Sequence, residues 1–112
     1  MKDTISFDDF LKVDLRVGTI IEVHDFPKAK KPAYQLTIDF GQLGIKKSSA
    51  QITDLYPKDA LLNKQIIAVV NFKPKQIANF KSEVLVLGIY NKEQKVVVLE
   101  TGKNIKNGMT VS

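Results

Sequence analysis

The sequence predicts an all-β protein, a small β-barrel with short helices. Three observations carry this: apolar runs of strand length punctuated by glycine and proline, only two stretches with helical spacing, and 112 residues, which leave room for one core. A composition of 44% hydrophobic and 26% charged residues is that of an ordinary globular chain and excludes disorder and fibrous repeats.

The elements follow in order. Ser6 with Asp9 three residues on matches a capping box, and Phe7, Phe10 and Leu11 share one face, so a helix of about two turns is expected over 6–12. Arg16 to Val23 reads as a strand with Val17, Thr19, Ile21 and Val23 on one face, and Gly18 marks a bend or bulge in it. Phe26 to Pro32 (FPKAKKP) is a lysine-rich loop bounded by prolines, followed by a strand from Ala33 to Phe40. Gly41 and Gly44 frame the turn into a third strand, Ile45 to Ile52. Thr53 to Leu62, interrupted by Pro57, predicts a short broken helical connection. Two further strands, Gln65 to Phe72 and Val84 to Tyr90, are joined by the polar loop Lys73 to Ser82. An NKEQ turn then leads to a strand from Lys95 to Glu100, and Asn107-Gly108 predicts a last turn.

Five β-elements with a helix between the third and fourth match the OB-fold, a five-stranded Greek-key barrel, here with an N-terminal helix and extra C-terminal strands. A small α+β sandwich is also compatible with the order. The reading is one domain over 1–112. The helix at about 6–12 and the extension at about 95–112 are hard for a small monomer to bury, so a symmetric homodimer using both is expected.

The formal charge is +5, unevenly spread: ten lysines face three acids between Lys28 and Lys81, a local +7, and the remainder carries −2. Such a block attracts phosphates, anionic lipid or acidic protein, and also serves as a plain solvated face. The absence of cysteine excludes disulfides, thiolate metal sites and a cysteine nucleophile. No apolar run is long enough to span a bilayer and the acidic start MKDTISFDDF is unlike a signal peptide, so a cytoplasmic protein without membrane insertion is expected.

Catalytic chemistry finds no support in the residues. The single histidine, His24, has no partner histidine or cysteine for a metal; Ser48, Ser49 and Ser82 lie in no nucleophile motif; Asp8 and Asp9 complement a helix dipole; no phosphate-binding glycine loop occurs. The expectation is a binding module with no catalytic residue, cofactor or metal.

Three stretches, VDLRVGTIIEV (Val13 to Val23), FPKAKKPAYQLTIDFG (Phe26 to Gly41) and VVNFKPKQIANFKSEVLVLG (Val69 to Gly88), resemble the tRNA-binding domain family. That family is the OB-fold appended to some methionyl- and tyrosyl-tRNA synthetases and found free in small dimeric proteins. The FPKAKKPA loop, IKKSSAQIT (Ile45 to Thr53) and NFKPKQIANFKSEVLVLG look most like its CsaA branch, described as export-related chaperones that also resemble tRNA binders. The resemblance implies that Asn71 and Ser82, with Glu83 beside them, lie at a tRNA contact surrounded by Lys73, Lys75 and Lys81. Tyr34 matches the family's strand-start tyrosine and is a candidate to stack a base. Lys28, Lys30, Lys31, Lys46, Lys47 and Ser48 complete the candidate nucleic-acid surface. The synthetase-appended pattern is rewritten at three places: Phe26 to Pro32 replaces His-Pro-x-Ala-Asp-Lys, Ser48-Ser49-Ala50 replaces a serine-glycine pair, and Val84-Leu85 replaces Gly-Met.

Two functions follow. One is binding of tRNA or other structured RNA by the basic face. The other, implied by the CsaA resemblance, is a chaperone holding unfolded or pre-secretory polypeptides for the export machinery in a dimer groove, with Phe7, Phe10, Phe72, Ile77 and Phe80 as groove or dimer contacts. Phe80, in a polar loop beside a lysine, is expected to be exposed.

Overall fold

Strand pairing in this chain begins from one long, bent strand. In a computed structural model describing residues 1–112, β1 (Leu15–Asp25) pairs antiparallel with β2 (Tyr34–Asp39) through its second half and with β4 (Gln65–Val69) through its first. β3 (Ile45–Ala50) extends the sheet beyond β2, and β7 (Leu85–Val86) beyond β4, giving the order β3-β2-β1-β4-β7. Between β3 and β4 sits the short helix α2 (Lys58–Leu61), whose Leu61 is fully buried at the barrel end. This is an all-β OB-fold, and the curled sheet rules out the sandwich.

The bend in β1 is where the simple alternation fails. Ile20 opposes Ile38 and the next pair is Glu22 with Thr37, so Ile21 is left unopposed as a bulge. The extra residue reverses the phase: Gly18 and Ile20 face the core before it, Val23 packs against the core after it, and Ile21 is only half-buried. The expected face of Val17, Thr19, Ile21 and Val23 is therefore corrected, and so is the bulge at Gly18. Gly18 is a packing residue, since a Cβ there would lie 2.7 Å from Ile38 Cγ2 and 2.7 Å from the Phe40 ring.

Fully buried Ile20, Leu36, Ile38, Phe40 and Ile66 fill the barrel. Its seam, between β3 and the segment before β7, is closed by three bonds rather than a ladder. Glu83 N donates to Lys47 O at 2.8 Å, Lys47 N to Glu83 Oε1 at 3.0 Å, and Ser49 N to Ser82 Oγ at 3.0 Å.

The expected polar loop over 73–82 is instead a small hairpin, β5 (Lys75–Ile77) with β6 (Phe80–Ser82), joined by Ala78-Asn79. At the C-terminal side, β8 (Gly88–Tyr90) pairs with β9 (Val96–Val98). The tail then returns along the edge of β1 that β2 leaves free, where Val17 N donates to Met109 O at 3.0 Å and Val111 N to Leu15 O at 2.9 Å. Gly108, at φ 89°, turns the chain into this pairing. At the N-terminus, α1 (Phe7–Leu11) has the full capping box of Ser6 and Asp9, yet none of its residues is buried and Phe7 is 69% exposed. No helix is long and apolar enough to cross a membrane.

Candidate functional site

The lysine loop and the β5–β6 hairpin meet on a second, small core. Phe26, Ala33 and Phe80 are buried together, the Phe26 and Phe80 ring centroids lie 5.4 Å apart, and Ala29 and Ile77 pack against them. Two segments separated by some forty residues are thereby locked side by side, which composition alone does not reveal. Phe80 is 8% exposed, so its expected exposure is corrected: a two-residue turn folds the polar segment over and points this ring at Phe26.

Around the small core run two adjoining clefts. The larger, about 550 Å³, is rimmed by Lys28, Lys30, Lys31 and Lys75 and contains no acid. The second, about 460 Å³, shares Ser49, Lys75 and Ile77 with it and adds Phe72, Lys73, Ser82 and Glu83. None of these lysines is ion-paired; the chain's ion pairs use Lys12, Arg16, His24, Lys58 and Lys64. Unpaired ammonium groups beside a concave surface concentrate positive potential there. The two pairs at which a cation's pKa moves lie outside these clefts. Hydrogen bonding to Asp14 holds the Arg16 guanidinium above its ordinary value, and Asp25 does the same to Lys58.

The other expected contacts separate. Tyr34 is buried in the barrel core with its hydroxyl donating to Tyr56 O at 2.7 Å, so its ring has no free face on which to stack a base. Ser48 is fully buried and donates to Ser49 O, out of reach of any ligand. Lys46 and Lys47, as neighbours on β3, point to opposite faces, and only Lys47 shares the outer face with Ser49. Asn71 is occupied at both ends of its amide: Oδ1 accepts from Asp14 N at 2.9 Å and Nδ2 donates to Lys12 O at 2.8 Å, pinning the link between α1 and β1. Ser82 and Glu83 hold the seam. Lys81 is exposed on β6. Of the apolar candidates, Phe72 is 56% exposed in the second cleft, Ile77 is half-buried, and Phe7 with Phe10 stays on α1.

Residues 15–110 match the family described as "Putative tRNA binding domain". The chain belongs to the tRNA-binding domain family. Among solved structures it resembles the chaperone CsaA of Bacillus anthracis, at 49% identity and TM-score 0.93 over 98% of this chain and 100% of that one. The CsaA chaperone protein of Picrophilus torridus is similar at 55% identity and TM-score 0.91, covering 97% and 100%. Among curated relatives, the methionine–tRNA ligase of Pyrococcus horikoshii is 37% identical over 107 residues, 96% of this chain and 14% of that enzyme. The Bacteroides fragilis ligase is 33% identical over 111 residues, 99% and 16%. The chain thus spans about a seventh of the length of these ligases.

Sequence reasoning missed Gln51 and Gln76, which line the larger cleft, and Ala33 beneath it. The one available signal was Ile77 and Phe80 flanking a two-residue turn, a hairpin pattern inside an otherwise polar segment.

Proposed function

We propose that this domain binds tRNA or similarly structured RNA, without catalysis and in the cytoplasm, through the two adjoining lysine-rimmed clefts. The observation that carries the reading is the convergence of Lys28, Lys30, Lys31, Lys73 and Lys75 on two adjoining clefts with none of them in an ion pair and Glu83 the one carboxylate in the lining. Five mobile point charges without a planar fork suit phosphates at several spacings, so backbone and shape recognition dominates over base reading. Glu83 and Asn71 act in this reading by holding the strands that carry the lysines, since their polar atoms are already bonded to the backbone. Membership of the tRNA-binding domain family supports it.

A second reading, a chaperone that holds unfolded or pre-secretory polypeptide for export, is favoured by exposed Phe72 and Leu85 in the second cleft and by the similarity to CsaA chaperones. The bare apolar face of α1 supports a homodimer in either case.

Filter binding of tRNA at increasing salt tests the first reading. Saturable, salt-sensitive binding that falls in Lys73/Lys75/Lys81→Glu is expected, and absence of binding at low salt refutes it. Unchanged aggregation of an unfolded substrate in the protein's presence refutes the second.

A further inference from the structure

The larger cleft has a composition that phosphate-backbone binding alone does not use. Besides its four lysines, the cleft is lined by the apolar side chains of Ala29, Ala33, Ile77 and Ala78 and by the polar side chains of Ser49, Gln51 and Gln76. Backbone phosphates call for the lysines; the methyl groups in the lining give them nothing and shed water that would solvate them. A ligand that satisfies both parts is flat and apolar at one end and anionic at the other.

The amides sharpen this. The Gln51 side chain makes no hydrogen bond within the chain, so its donor and acceptor are both free. Gln76 Nε2 donates to Ala78 O at 3.1 Å, leaving its Oε1 as a free acceptor. A free carboxamide beside an apolar surface matches the edge and face of a nucleobase. The volume of about 550 Å³ falls within the roughly 300–1,000 Å³ of small-molecule sites.

We propose that this cleft is a pocket for one unstacked nucleotide, its base on Ala33, Ile77 and Ala78 with its edge at Gln51, and its phosphates among Lys28, Lys30, Lys31 and Lys75. The pocket deepens the RNA reading by naming what it takes beyond phosphate: an unpaired nucleotide at an RNA end or bulge, or the same group as a free nucleotide.

The test uses the full chain and three probes. One is a hairpin RNA with a two-nucleotide 3′ overhang, the second the same RNA with both overhang nucleotides abasic, and the third ADP alone. The two RNAs carry equal charge, so only the bases differ. The base-bearing overhang is expected to bind about tenfold tighter by fluorescence anisotropy, the order of one carboxamide contact to a base edge. That difference should vanish in Gln51→Ala, an exposed position whose loss leaves the fold intact. ADP binding that is likewise lost in Gln51→Ala identifies a free nucleotide as the source and also sustains the pocket. Equal binding of both RNAs with no ADP binding overturns the pocket while leaving the RNA reading standing. No binding of any probe overturns both.

Discussion

Removal of cleft lysines should change the salt dependence of RNA binding by a countable amount. Five lysines line the two clefts, and each ammonium that neutralises a phosphate releases about 0.7 to 0.9 of a counterion. If each meets one phosphate, log K should fall against log salt with a slope of about −3.5 to −4.5. Lys28/Lys30/Lys75→Gln removes three contacts without adding repulsion, so the slope should shrink to about −1.4 to −1.8. Near 0.1 M salt the same loss weakens binding by about 100- to 500-fold. The lysines are exposed and unpaired, so the variant should fold with unchanged stability. Anisotropy titrations at four salt concentrations would read the slope, with Lys92/Lys103/Lys106→Gln, three exposed lysines outside both clefts, as the charge-matched control. If the control flattens the slope as much as the cleft variant does, binding follows net charge and the cleft has no special part.

Three further predictions concern the scaffold that presents these residues. Phe80→Ala should destabilise the chain by about 3 kcal/mol or more by urea unfolding, because it empties the small core, whereas Phe72→Ala should stay within about 0.5 kcal/mol. Equal effects would mean that Phe80 is not packed on Phe26. Gly18→Ala should lose about 1–3 kcal/mol, since its Cβ meets Ile38 and Phe40 at 2.7 Å; a neutral result by thermal unfolding would show a barrel loose enough to give way. Asn71→Ala removes two hydrogen bonds, about 1–3 kcal/mol together, and should speed amide exchange at Asp14 while leaving the RNA affinity nearly unchanged. A large loss of affinity with normal stability would make Asn71 a direct contact instead.

The order of the first four strands with a helix before the fourth, and the capping box at Ser6, were legible in the sequence because each depends on local chemistry: alternation, side-chain caps, and the backbone limits of glycine and proline; the hairpin within 73–82 and the break of the expected Val84 to Tyr90 strand into β7 and β8 were not. The basic character of the surface was legible too, since charge adds up without reference to the fold. Residue roles were less so. Tyr34 and Ser48 look like surface ligands in the chain's order but lie inside the barrel, and Asn71 and Glu83 satisfy backbone groups more than fifty and about thirty-five residues away. Alternation also gave the wrong face for β1, because a single bulged residue at Ile21 reverses every side chain after it and leaves no mark in composition.

The sequence by itself therefore determined which elements form and where positive charge accumulates, both consequences of residue type and near neighbours. Only the tertiary structure decided which lysines share a cleft. Burying Phe26 against Phe80 draws two distant segments together, and long-range apolar packing is a property of the closed barrel rather than of either segment alone.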